Sequence, residues 1–250
     1  MKNFSRTLLI AAAAVFPLGV AAQMIPEHTE QRGPKPKVVT PGNYDNMVTS
    51  SPSDAIVLFD GKNLDSWISQ KTGGDAPWVV KDGVFYVKPE SGDIVSKQSF
   101  GDCQIHLEWM IPEGTEGHDQ GRGNSGIYIQ QRYEVQILDS YQSETYVNGQ
   151  AGSIYKQYPP LVNAMQKQGN WNVYDIVFTA PRFKEDGSLH SPAVMTVLHN
   201  GILVQNHAAL QGPTLFIGIP RYTDPHGKAP IMLQDHNCPV HFRNIWVREL

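Results

Sequence analysis

The chain has 250 residues, a formal net charge of −4, and basic residues scattered along its length. No basic stripe suited to nucleic acid occurs, and no basic amphipathic helix suited to a membrane surface. Charged residues make up 18%, below the roughly 25% of typical soluble domains, while Tyr, Trp, Asn, Gln, Gly and Pro are plentiful, a balance that fits an all-β domain with neutral polar surfaces.

Residues 1–22 read as a secretory signal peptide. Lys2 and Arg6 give a basic start, Leu8 to Phe16 an apolar run, and Val20-Ala21-Ala22 a small-residue cleavage site. With no Cys near that site a lipoprotein anchor is not expected. No other segment approaches 18 apolar residues, so an exported protein without membrane insertion is expected, in the periplasm or outside the cell. Residues 23–54 carry Pro26, Pro34, Pro36, Pro41 and Pro52 among polar residues and read as a linker. Residues 55–250 suffice for one domain. Cys103 and Cys238 could form a disulfide in an oxidising compartment if their Cα atoms come within about 7 Å. Without a CxxC motif a structural zinc site is not expected.

Beyond residue 55 the chain shows short β-type runs and little helical periodicity. They fall at 55–59, 78–80, 84–87, 94–96, 103–111, 126–130, 133–138, 172–179, 193–199, 202–205, 215–218, 231–234 and 240–248. Asp60-Gly61, Lys81-Asp82-Gly83, Glu185-Asp186-Gly187 and His199-Asn200-Gly201 separate them as turns. Asn-Gly between two apolar runs is the strongest short hairpin signal. About a dozen such strands predict a two-sheet antiparallel β-sandwich of jelly-roll or concanavalin A-like type. The stretch 140–169 has no period, and a loop of that length is more often functional than idle.

Two runs carry the most chemistry. In Tyr133-Glu134-Val135-Gln136-Ile137 the apolar residues would face the core, leaving a carboxylate and a carboxamide on the opposite face. In Ile105-His106-Leu107-Glu108-Trp109 the same alternation puts Glu108 opposite the core. If both strands share a sheet, Glu108 and Glu134 could approach and push their pKa values apart, equipping one as acid and the other as base. Solvated glutamates on separate strands are the alternative. Leu233-Gln234-Asp235-His236-Asn237 marks a strand end where His236 could move protons. A metal held by Asp235, His236 and Glu134 is conceivable but matches no recurrent spacing. Trp171 could stack on a sugar or simply pack in the core. No Gly-Xaa-Ser-Xaa-Gly elbow, phosphate-binding loop or HExxH motif occurs.

Several segments together resemble the 3-keto-disaccharide hydrolase domain family. They begin with Leu58-Phe59-Asp60-Gly61-Lys62-Asn63-Leu64-Asp65-Ser66-Trp67, then Trp78 with Asp82-Gly83, Leu107-Glu108-Trp109 and Gly123-Asn124-Ser125-Gly126. Tyr133-Glu134-Val135-Gln136-Ile137-Leu138-Asp139, Gly152-Ser153-Ile154-Tyr155, Pro159-Pro160, Trp171-Asn172-Val173-Tyr174, Leu233-Gln234-Asp235-His236 and Phe242-Arg243-Asn244-Ile245-Trp246 complete the match. Cys103 stands where many relatives have Phe, which touches packing rather than chemistry.

The resemblance implies a concanavalin-like sandwich, bacterial export, and cleavage of 3-keto-glycosides. A ketone at carbon 3 acidifies the proton on carbon 2. A base removes it, the carbon-1 aglycone is expelled from the enediolate, and water adds to the double bond. The resemblance marks these positions as the site, and the chemistry suggests Glu134 as the base and His236 or Glu108 as the acid. Asn124, Arg132, Gln136, Asp139, Gln234 and Asp235 would contact the sugar, with Tyr155 and Trp171 as walls. No cofactor is expected, a divalent metal is left open, and the oligomeric state is not legible. A separate oxidoreductase would make the 3-keto sugar, since no dinucleotide-binding motif occurs. The alternatives are a non-catalytic carbohydrate-binding module, because fold does not settle function, and a conventional glycoside hydrolase.

Overall fold

Alternation of apolar and polar residues becomes, in a computed structural model that describes residues 30–42 and 50–250, a set of short strands. The signal peptide expected at 1–22 lies outside the described residues. In chain order the strands are β1 (Lys37–Val38), β2 (Ile56–Phe59), β3 (Trp67–Ser69), β4 (Val79–Lys81), β5 (Val84–Tyr86) and β6 (Ile94–Phe100). Next come β7 (Cys103–Met110), β8 (Ser125–Ile129), β9 (Tyr133–Ile137), β10 (Val162–Asn163), β11 (Trp171–Thr179) and β12 (Arg182–Phe183). The last are β13 (Leu189–Ser191), β14 (Val194–His199), β15 (Ile202–Ala209), β16 (Ala229–Leu233) and β17 (His241–Glu249).

The larger sheet runs β15-β14-β11-β7-β17-β5-β4, with β2 also on β17; the smaller runs β3-β6-β16-β8-β9. Neighbours within both are antiparallel. Ile105, Leu107 and Trp109 of β7 and Tyr133, Val135 and Ile137 of β9 are all fully buried from opposite sheets, so the core lies between them. At one end Phe85 stacks on Phe242 at 5.3 Å and meets Phe59 edge-on at 4.7 Å. Such pairs add about 0.5–1.5 kcal/mol each beyond their burial. Tyr174 of β11 donates its hydroxyl to the Gln136 carbonyl of β9 at 2.7 Å, tying sheet to sheet. The all-β sandwich expected from the pattern is the fold.

Two turns follow from the sequence directly. Asp82 and Gly83 join β4 to β5 with φ of 52° and 78°, and Asn200 and Gly201 join β14 to β15 with φ of 53° and 73°. Two positive φ values in a row are what a two-residue hairpin of type I′ needs. Elsewhere the pattern misleads. Leu215–Gly218 is apolar and expected as a strand, yet it finds no ladder partner and runs as an irregular loop. Trp67–Ser69, hidden behind turn residues, pairs with β6. Part of the expected linker lies on the domain: β1 pairs in parallel with β10. The Gln31 amide donates to Asn148 Oδ1 at 2.9 Å and the Gln31 carbonyl accepts from the Val147 amide at 2.7 Å. Backbone hydrogen bonds hold this segment, and composition registers only apolar burial. Cys103 and Cys238 are both free; burial pushes the Cys103 thiol up to about 12.

Candidate active site

Antiparallel pairing of β8 with β9 sets Tyr128 opposite Glu134 and Gly126 opposite Gln136. With Ile127 and Val135 facing the core, those four residues share the outer face of the smaller sheet. A Cβ at Gly126 would lie 2.6 Å from Glu134 Oε1, so any side chain there would displace the carboxyl. Gln136 brings one amide atom to 2.9 Å from both the Ser125 carbonyl and Glu134 Oε1. A carbonyl can only accept, so that atom is the nitrogen and it donates to both.

This face is roofed, not open. The 140–169 loop lays Tyr146 and Tyr155 over it, and Thr214 and Phe216 close another side. Glu30, from the segment upstream of the domain, reaches the mouth. A cavity of about 490 Å³ remains, lined also by Asp119, Gln120, Asn124, Gln234 and His236, a size typical of small-molecule sites. Glu134 is only 2% exposed, and its Oε2 has no hydrogen-bond partner. Burial pushes its carboxyl up to about 8, partly offset by the approaching Tyr128 hydroxyl. Its backbone is pinned, the amide donating to Thr214 Oγ1 at 3.0 Å. The Tyr146 and Tyr155 hydroxyls are 2.6 Å apart. Burial raises Tyr155 to about 12 against the lowering effect of the Tyr146 bond. Either hydroxyl can be the donor of the pair; with Tyr146 donating, the Tyr155 proton is left available to the cavity.

Of the residues singled out in the sequence, Glu134, Gln136, Asn124, Tyr155, Gln234 and His236 meet in this cavity. The others do not. Glu108 belongs to β7 of the larger sheet, so the expectation that it shares a sheet with Glu134 is corrected. It is 1% exposed and accepts from Arg243 Nε at 2.6 Å and Asn244 Nδ2 at 2.8 Å, with His106 Nε2 at 3.6 Å. Trp171 is in that same cluster, its ring 4.0 Å beneath the Arg243 guanidinium. Arg132 bonds Asp224 at 3.2 Å and the Gln130 carbonyl. Asp139 is buried against Arg122 Nε at 2.9 Å and Gln168 Nε2 at 2.8 Å. Asp235 accepts from the Gly92 and Asn237 amides, which fixes the loop that carries His236. With Asp235 so committed, the metal set of Asp235, His236 and Glu134 does not assemble. Among the described residues no group of three or more His, Cys, Asp and Glu side chains is placed to hold a metal ion.

Sequence reasoning missed Gln120, Tyr128, Asp119, Tyr146, Thr214, Phe216 and Glu30. Tyr128 was within reach, since it alternates with Gly126 on the strand that pairs with β9. The rest come from loops without period. A larger cleft, about 740 Å³, lies at Asp102, Arg182, Lys228 and Glu249. Its ions neutralise one another, Arg182 with Asp102 at 2.5 Å and Lys228 with Glu249 at 2.6 Å. The uncompensated carboxyl is in the smaller cavity, where chemistry is to be sought.

Residues 54–248 match the family model of the 3-keto-alpha-glucoside-1,2-lyase-like domain. The chain is 54% identical to a candidate glycosyl hydrolase of Parabacteroides distasonis whose crystal structure superposes with a TM-score of 0.79, over 87% of this chain and 93% of that one. Two further candidate glycosyl hydrolases of that organism are 20% and 22% identical, with TM-scores of 0.57 and 0.53. They cover 79% and 78% of this chain and 94% and 99% of their own, and show the shared fold. No curated protein sequence matches the chain. The motifs, the sandwich and these matches agree: the chain belongs to the family of 3-keto-alpha-glucoside-1,2-lyase-like domains, proteins of carbohydrate chemistry.

Proposed function

We propose that the protein cleaves 3-keto-glycosides by elimination across carbons 1 and 2, followed by hydration. The observation that carries this reading is Glu134: a wholly buried carboxyl, raised to about 8, with one oxygen unpartnered in a sugar-sized cavity. A base poised near neutral pH is most effective at removing a weakly acidic C–H proton. Glu134 takes the carbon-2 proton, and the electron pair passes to the keto oxygen to form an enediolate. Tyr155 donates its free proton as a hydrogen bond to that oxygen, where a preorganised donor is worth most. The enediolate then expels the carbon-1 oxygen, which takes a proton from His236 at the rim. Water adds its hydroxyl to carbon 1 and its proton to carbon 2. Asn124, Gln120 and Gln234 face the sugar hydroxyls. An exported location, drawn from residues 1–22, completes the reading, with the 3-keto sugar supplied by a separate oxidation.

Asp119 favours a second reading. It lines the cavity with a buried Oδ1 that has no partner, held at a φ of 51°. Paired with Glu134 it could serve a conventional glycosidase. Incubation with a 3-keto-glucoside in D₂O and NMR of the products separates the two. Deuterium at carbon 2 and a transient unsaturated sugar are expected; cleavage of the unoxidised glucoside without exchange would transfer the function to the second reading.

A further inference from the structure

The loop that closes the cavity beside Phe216 is unusual in its surface. Leu215, Phe216, Ile217 and Ile219 are all exposed, Phe216 to 63%, within five residues. Contiguous exposed apolar side chains on a soluble domain mark a binding surface. This loop is also held in place. The Thr214 amide donates to the Arg132 carbonyl at 2.7 Å, Gln157 Nε2 to the Gly212 carbonyl at 2.9 Å, and Lys156 Nζ to the Phe216 carbonyl at 2.7 Å. Lys156, itself buried, sits 4.1 Å from the centroid of the Phe216 ring, engaging one face and fixing its orientation. The apolar surface is therefore a preorganised platform, and binding to it forfeits little ordering entropy.

Its place relative to Glu134 says what it would hold. Thr214 bonds the Glu134 backbone, and Phe216, two residues later, lines the same cavity as Glu134, so the leaving group of a sugar held at that carboxyl can meet this loop. Resting on the reading of the cavity as a 3-keto-glycoside site, we propose that the Leu215–Ile219 loop is the aglycone subsite, and that it selects an apolar, aromatic leaving group over a second sugar. A second sugar would set its hydroxyls against Leu215, Phe216 and Ile217 with no polar side chain among them. An aryl group stacks on the free face of Phe216 and buries the flanking aliphatic side chains.

The test is calorimetric titration with phenyl and methyl glucosides of one anomeric form, as 3-keto sugars on Glu134→Gln and unoxidised on the unaltered chain. The phenyl glucoside should bind at least about tenfold more tightly in either pair, the range over which one apolar group discriminates. Phe216→Ser should bring the ratio within threefold while melting with the unaltered chain. A ratio near one before substitution, no phenyl binding in either pair, or a ratio untouched by Phe216→Ser overturns the proposal. So does a dimer in solution that Phe216→Ser dissociates without changing the ratio, since the platform would then serve a second copy. Phenyl preference together with 3-keto sugars left intact by the unaltered chain would sink the chemistry and leave the subsite standing.

Discussion

Glu134 and Glu108 sit mid-strand in opposite sheets, each beside a core-facing neighbour and each buried to the same degree, yet their environments drive them apart. Burial would raise both. For Glu108, hydrogen bonds from His106, Asn244 and Arg243 outweigh it and lower the pKa. His106 is in turn pulled down by burial, but its bonds and charge pairs with Asp175 and Glu108 outweigh that and raise it to about 9. A carboxylate surrounded by cations and donors is stable as an ion and has no reason to accept a proton. Glu134 has burial that the Tyr128 hydroxyl and the Gln136 amide offset only in part. Identical residue types in similar strand positions thus become a structural anion and a carboxyl held near its protonation midpoint at mildly alkaline pH, which is what the proposed reaction asks of a base. Burial alone does not identify a site; uncompensated burial does.

The sharpest way to break this contrast is Glu134→Gln. Loss of a general base typically costs 10²–10⁴ in rate, and turnover of a 3-keto-glucoside should fall by that much with sugar binding kept. For the unaltered protein the rising limb of kcat/KM against pH should be centred near 8, the pKa of the free enzyme's base. Stability should move the other way. A carboxyl near 4.5 unfolded and about 8 folded keeps its proton longer in the native state, so the native state loses stability from pH 4.5 to 8 and is flat beyond. The Gln variant lacks that loss. It should match the parent near pH 4 and exceed it by roughly 5 kcal/mol at pH 9. His106 also loses stabilisation between about 6.5 and 9, but both proteins carry it, so the difference in melting between them is the readout. Equal melting at pH 9 would refute an uncompensated Glu134.

Tyr155→Phe tests the other half of the cavity. Removing one preorganised donor to a developing oxyanion costs about 10²–10³ in kcat. Substrate binding should weaken far less, because the keto group gains its charge only in the transition state. An equal rise in KM with kcat unchanged would make Tyr155 a wall, as the sequence alone suggested.

At the Glu108 cluster the expectation is reversed. Arg243→Ala leaves a buried carboxylate without its closest partner and uncovers the Trp171 ring. Breaking such a pair costs about 3–5 kcal/mol. Urea denaturation should show that loss, with kcat/KM of the folded fraction unchanged. A large fall in kcat without destabilisation would return Glu108 to the chemistry.

The sequence reveals which face of a strand is polar but not which sheet the strand joins. Period-2 alternation gives Glu134, Gln136 and Glu108 the same local reading, because side-chain direction is a property of the strand alone. The division of labour between them depends on β9 lying at one edge of the smaller sheet and β7 at the centre of the larger, which is long-range pairing. Asn-Gly and Asp-Gly turns are legible because their φ values are set locally. The roof is not: Tyr146, Thr214 and Glu30 arrive from three separated segments, held by side chain to backbone bonds that leave no periodic trace. Asp139 and Asp235 lie inside family-matching runs and Arg132 adjoins one, but neighbouring side chains along a strand point in opposite directions, so membership of a run does not place a side chain in the cavity.

Arg132 gives the smallest and most pointed test of that last error. It follows the β8–β9 turn and immediately precedes Tyr133, a motif position, but its guanidinium turns away from the cavity. Its partners are the Gln130 carbonyl at 3.2 Å and Asp224 at 3.2 Å, the latter with a side chain 75% exposed. A solvent-screened pair of this kind contributes about 0–1 kcal/mol. What the cavity draws from Arg132 is its backbone carbonyl, which accepts from the Thr214 amide at 2.7 Å and so braces the residue that pins Glu134. Arg132→Ala keeps that carbonyl. The variant should therefore melt within about 1 kcal/mol of the parent and keep kcat/KM on a 3-keto-glucoside within threefold. Raising the salt concentration should narrow even the small difference in stability, because screening has already taken most of the pair's worth. A tenfold rise in KM would put the guanidinium on the substrate after all, and the boundary drawn between Glu134 and its sequence neighbours would have to move.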